Sequence, residues 1–224
     1  MYPSTVIFGL NIPLATYATL NGDIYCDNGY VAKQVNKYTV DSNITTNAMN
    51  IVSLNYNQTA PKTIAGITDT FGSGLNVLNQ PYGIFIDIEF KLYLADSVNH
   101  RIIKFLPGQS TGIVVAGTSA TGSITLNEPR GVILDGNGYV YIADYGNHRI
   151  LGSEPNGFQC IISRSRVGSA SNQLNYPQII GFDTYGSIFV TDKGNNRIQK
   201  FTLKSNFCCK STIELSYQFF YRTR

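Results

Sequence analysis

One interval, repeated three times, limits what this chain can fold into more than any other feature. Pro81, Pro129 and Pro177 are 48 residues apart, and Asp96, Asp144 and Asp192 keep the same spacing. The segments they mark read LNQPYGIFIDIEFKLYLADSVNHR (78–101), LNEPRGVILDGNGYVYIADYGNHR (126–149) and LNYPQIIGFDTYGSIFVTDKGNNR (174–197). A period of roughly 20 to 50 residues marks a repeat architecture, in which each unit buries its apolar face only by stacking on the next.

Within one unit the pattern is that of short strands. Residues 78–117 contain apolar runs at 83–87, 92–96, 101–105 and 113–117, separated by turn residues after 87, at 97–99 and at 107–112. Four runs at ~8–12 residue spacing predict one four-stranded antiparallel sheet. No helical period competes with them. Residues 126–166 repeat the pattern, with Asp135-Gly136-Asn137-Gly138 as a turn between the first two strands. There the third strand is expected to cover 149–151 and then decay into GSEPNG, with the fourth at 158–163. Residues 174–203 repeat it again, but Ile179 replaces the glycine found at Gly83 and Gly131, and Gly181 follows two places later. An irregular first strand is expected in that unit. The boundaries predicted from this period are 67–117, 118–166 and 167–205.

Upstream lies a worn copy over 11–66. Pro13 stands for Pro81, Ile24-Tyr25-Cys26 for Leu92-Tyr93-Leu94, QVNKY (34–38) for the third strand and TIAG (63–66) for the fourth. Residues 39–61, rich in Asn, Thr and Ser, read as a surface loop. Residues 5–9 (TVIFG) within 1–10 look like an orphan strand able to complete the last unit and hide its open edge. Residues 206–224 leave the pattern, as a tail or, over 212–217, a final strand.

The strings YLADSVNHR, YIADYGNHR and FVTDKGNNR resemble NHL repeats. The signature triplet reads Asn99-His100-Arg101, Asn147-His148-Arg149 and Asn195-Asn196-Arg197. The resemblance covers 78–203 well and 11–66 poorly. It implies an all-β fold, a β-propeller with each repeat near one blade, the first strand lining a central channel and the fourth at the rim. Such propellers usually have six blades, whereas this chain has material for about four. A small closed propeller, an open array, a fragment of a six-bladed type, or completion by another chain all fit that count. An open array would expose blade edges and invite self-association.

Composition narrows the partner class. Charged residues are 14% of the chain, below the usual ~25%, and the net charge is +3. No basic run points to nucleic acid. No stretch approaches the ~20 apolar residues of a membrane helix, and the N-terminus lacks the basic start of a signal peptide. The four cysteines read first as buried or idle thiols, with a disulfide from Cys160 to Cys208 or Cys209 as the alternative. Two sequons, Asn43-Ile44-Thr45 and Asn57-Gln58-Thr59, lean toward an extracellular setting.

The repeat positions read as framework. Asp96, Asp144 and Asp192 are expected to cap the loop that follows each of them, and Asp87, Asp135 and Asp183 to do the same after the first strand. His100 and His148 share their position with Asn196, so a hydrogen-bonding role fits all three copies better than metal ligation. Arg101, Arg149 and Arg197 are expected to pair with an acid or with backbone carbonyls. No cofactor and no metal are expected, since CxxC, HExxH, GxSxG and P-loop patterns are all missing. The loops at 97–99, 145–147 and 193–195 and the links at 118–127 and 167–176 should share one face. There Ser97, Arg130, Tyr145 and Lys193 vary while the framework does not, as a recognition surface would. The expected function is a non-catalytic module that binds a protein, with an RNA-binding face, or a hydrolase or lyase relative, as alternatives.

Overall fold

The structure, a computed structural model, describes residues 62–202 apart from 119, 121–123, 164–166 and 184, together with the backbones of four strands outside that range. Its strands form four antiparallel sheets of four. Blade one holds β1 (Thr16–Ala18), β2 (Ile24–Asp27), β3 (Val35–Tyr38) and β4 (Lys62–Ala65). Blade two holds β5 (Pro81–Ile86), β6 (Leu92–Asp96), β7 (Arg101–Phe105) and β8 (Ile113–Gly117). Blade three holds β9 (Gly131–Leu134), β10 (Val140–Asp144), β11 (Arg149–Glu154) and β12 (Gly157–Ile162). Blade four holds β13 (Pro177–Phe182), β14 (Ile188–Asp192), β15 (Arg197–Thr202) and β16 (Ser216–Phe219).

The core is divided between the blades. Leu92 and Leu94 face blade one, in a cluster with Ala65, Leu78 and Phe105. Tyr93 and Ala95, pointing the other way, face blade three, in a cluster with Ile102, Val132, Ile142 and Leu151. A third cluster joins blades three and four through Tyr141, Ile150, Ile180, Ile188 and Phe201. Alternation along a strand therefore serves two cores, which is why β6 is buried at every residue. Each fully buried Leu or Ile contributes about 1.5–3 kcal/mol.

First strands of successive blades lie side by side, β5 against β9 and β9 against β13. Glycine sets how closely they approach. A β-carbon on Gly83 would collide with the Arg130 carbonyl and sit 2.9 Å from Cα of Gly131. One on Gly131 would lie 2.8 Å from the Gln178 carbonyl oxygen. Ile179, at the equivalent place in blade four, is 56% exposed. The expected irregularity of β13 is present as a register shift between Pro177 and Ile180. Yet β5 shows the same shift between Pro81 and Ile84. The shift is therefore not peculiar to the blade that carries Ile179.

One other expectation is corrected. The third strand of blade three does not decay: β11 runs to Glu154 and turns through Pro155 and Asn156 into β12. Proline with its fixed φ, followed by asparagine and by Gly157 at φ 125°, closes the hairpin. The outer place of blade four is filled by β16, paired with β15. Residues 5–9, the loop at 39–61 with both sequons, and Cys208 and Cys209 lie outside the described residues. Cys160 packs beside the core between blades two and three, its thiol donating to the Ile162 carbonyl at 3.3 Å.

Candidate functional site

Each of blades two to four is tied to the link leading into it by the same knot. Asp96 ends β6 and faces Arg101 at the start of β7. Arg101 Nε donates to Asp96 Oδ2 at 2.8 Å, and Arg149 and Arg197 do the same to Asp144 and Asp192 at 2.7 Å. That oxygen also accepts the amide of Asn99 at 2.8 Å, of Asn147 at 2.9 Å and of Asn195 at 2.8 Å. Oδ1 accepts the backbone N–H of Asn79, Asn127 and Asn175, each 17 residues upstream. The expected cap on the following loop is thus wrong for these three acids. The donors of that loop are already used: Val98, Gly146 and Gly194 N–H groups go to the carbonyls of Asn79, Asn127 and Asn175. Asp87, Asp135 and Asp183 do cap the turn after them, each accepting two backbone N–H bonds there.

The repeat arginines complete the knot. Arg101 donates to the carbonyls of Ser73, Gly74 and Val77, and Arg197 to those of Ser169, Ala170 and Gln173. Arg149 reaches Thr125. All three carboxylates are 0% exposed, so their oxygens serve the framework. Burial pushes the Asp96 carboxyl up, while the Asn79 N–H, the Asn99 amide and Arg101 pull it down.

His100, His148 and Asn196 share a left-handed backbone, with φ of 53°, 57° and 52°. Asparagine tolerates that conformation better than most residues. His100 Nδ1 accepts the Glu128 N–H, and His148 Nδ1 the Tyr176 N–H, both at 3.0 Å. Each bond reaches the link entering the next blade. Burial lowers the affinity of His148 for a proton, against the pull of Asp144 and Asp192. A second left-handed position recurs just before each proline, at Gln80, Glu128 and Tyr176. Nothing in the residue types announces it, because the residue before proline is biased toward extended backbone.

Three of the four candidate binding residues come together. The Arg130 guanidinium carbon stands 3.5 Å from the Tyr145 ring centroid, and Lys193 Nζ 6.0 Å from it. Two tyrosines that sequence reasoning missed complete the cluster. The Tyr82 ring also lies against Arg130, at 4.4 Å, and the Tyr176 ring packs on Tyr145 at 4.8 Å. The period held the signal: Tyr82, Arg130 and Gln178 are equivalent, as are Gln80, Glu128 and Tyr176. Ser97, the fourth candidate, is corrected. It is 1% exposed, tucked under the link with its N–H donating to the Gln80 carbonyl. Among the described residues no three of His, Cys, Asp and Glu gather as a metal-binding group, and no helix is long and apolar enough to cross a membrane.

Four-stranded sheets stacked through their first strands, with a buried Asp–Asn–Arg knot in each of three, define a β-propeller built from repeats. Residues 126–152 match the family described as NHL repeat. That match covers one blade, and the other repeats follow it in sequence at the 48-residue period. Solved six-bladed propellers share the fold. Virginiamycin B lyase from Staphylococcus aureus is 11% identical with a TM-score of 0.58, over 93% of this chain and 55% of that one. An auxiliary nutrient binding protein from Bacteroides thetaiotaomicron is 17% identical with a TM-score of 0.54, over 81% and 45%. A nidogen/laminin complex matches at 15% identity and a TM-score of 0.53, over 80% and 55%. The chain spans about half the length of the structures it matches. At these identities the likeness shows the fold alone. No curated protein matches the sequence.

Proposed function

We propose that this chain is a non-catalytic interaction module that offers the face carrying its interblade links to a protein partner. The observation that carries this reading is the cluster of Tyr82, Arg130, Tyr145, Tyr176 and Lys193, contributed by three blades or the links into them. Tyrosine and arginine are the residue types that dominate binding energy at protein interfaces. The groups that could do acid–base chemistry in the repeats are committed elsewhere. Both oxygens of Asp96, Asp144 and Asp192 accept framework bonds, and His100 and His148 use Nδ1 to hold separate links. One structural relative, nidogen, is seen in complex with laminin.

The test is a pull-down from native extract with the immobilised chain and its Tyr176→Ala and Lys193→Glu variants. Both side chains are exposed, so the variants should melt like the parent. A partner retained by the parent and lost from both variants is expected. Failure to capture any protein, or equal capture by all three, defeats the proposal.

A further inference from the structure

Arg130 differs from the three repeat arginines. Arg101, Arg149 and Arg197 direct their donors at buried carboxylates and link carbonyls. Arg130 Nε is buried and has no hydrogen-bond partner. Its nearest acid, Glu128, holds Oε2 3.7 Å from NH2, beyond hydrogen-bond length. The guanidinium lies over the rings of both Tyr82 and Tyr145, with centroids 4.4 and 3.5 Å from its central carbon. Aromatic faces leave the in-plane edge of a guanidinium, with its fork of N–H donors, as the direction from which an acceptor can come. The side chain keeps 14% of its surface exposed, so the site is not sealed.

A cation with an unsatisfied donor, held against two aromatic rings, matches one chemistry best. A carboxylate accepts two parallel N–H bonds from such a fork. A polynucleotide backbone needs a row of cations, whereas here the other cation at the cluster is Lys193. Glu128, 46% exposed and held loosely, is a local competitor for the same fork.

We propose that Arg130, held against Tyr82 and Tyr145, receives a carboxylate from an acidic peptide segment of the partner. This rests on the interaction reading above and adds to it the chemistry of the contact.

The experiment is an NMR titration of the whole chain at low ionic strength, following the arginine Nε–Hε signals. The probes are acetyl-tetraglutamate amide, its tetraglutamine counterpart and an eight-residue oligouridylate. Tetraglutamate should shift the Arg130 signal and tetraglutamine should not. Arg130→Met should weaken tetraglutamate binding at least about tenfold, the scale of a charged hydrogen-bond pair. Glu128→Gln, which removes the competitor, should strengthen it. Absence of tetraglutamate binding overturns the proposal, as does undiminished binding by Arg130→Met or tighter Arg130-dependent binding of the oligouridylate. If tetraglutamate fails while Tyr176→Ala still abolishes capture in the pull-down, the carboxylate assignment falls and the interaction reading stands. If tetraglutamate binds at Arg130 and the pull-down captures nothing, the site stands and the protein-partner reading falls.

Discussion

His148 Nδ1 accepts the backbone N–H of Tyr176 at 3.0 Å, and the two rings meet edge to face with centroids 4.3 Å apart. One imidazole thus fixes the link entering blade four and the tyrosine it displays. The bond requires the neutral ring, because a protonated Nδ1 donates and cannot accept.

A pH dependence follows from this. The folded His148 has its pKa lowered from 6.5 by burial. The unfolded chain therefore binds more protons in the window just below 6.5, and stability rises with pH across it. The contribution is fully present above the unfolded value and is lost as pH falls through the window. Thermal melts from pH 7.5 to 5 should show a decline that His148→Asn reduces, since asparagine keeps the left-handed backbone and an acceptor. An unchanged slope in that variant would remove His148 as the source.

Close approach of the first strands predicts a sharp contrast between glycines. Gly83→Ala puts a β-carbon into the Arg130 carbonyl, against backbone that cannot turn aside. A loss of about 1–3 kcal/mol is expected in urea unfolding, the range for overpacked cores. Gly136, with open space around its β-carbon position, should accept alanine within about 0.5 kcal/mol.

The three knots are unequal in burial. The Arg101 side chain is 4% exposed and makes one acid and three carbonyl contacts, while that of Arg149 is 24% exposed and bonds Asp144 and Thr125. Arg101→Met leaves a buried carboxylate uncompensated and should cost about 3–5 kcal/mol. Arg149→Met should cost less. Equal losses by denaturant unfolding would mean that the link carbonyls add nothing to the ion pair.

Acid should weaken blade four through Asp183. Lys200, followed by the Ser187 and Tyr185 N–H groups, pulls its carboxyl down to about 2. The folded value lies below the ordinary 3.8, so the stabilisation is present above that value and is lost as pH falls toward about 2. Asp183→Asn should flatten that part of the stability curve. A variant that follows the parent through the acid range would show the pair to be a bystander.

The strands of blades two to four were legible because alternating apolar runs and turn residues recur in register, and the period located Asp96, Asn99 and Arg101 together. The partner of Asp96 was not legible. Asn79 is brought to it by the path of the link, and sequence neighbours gave no sign that Val98 N–H was already used. Ser97 failed for a related reason: variation between repeats marks surface only when the backbone leaves the position outside, and here the link covers it. Tyr176 was overlooked because a left-handed residue before proline runs against local preference, and only its equivalence to Gln80 and Glu128 reveals it.

Asp96 and Arg101 hold the stretch that enters their own blade, whereas His100 reaches forward to Glu128 at the entrance to the following one. Support along the molecule consequently has a polarity. Damage at a histidine should loosen its C-terminal neighbour first, and damage at an arginine its own sheet, so the array can fail as a row of dominoes falls, in one direction.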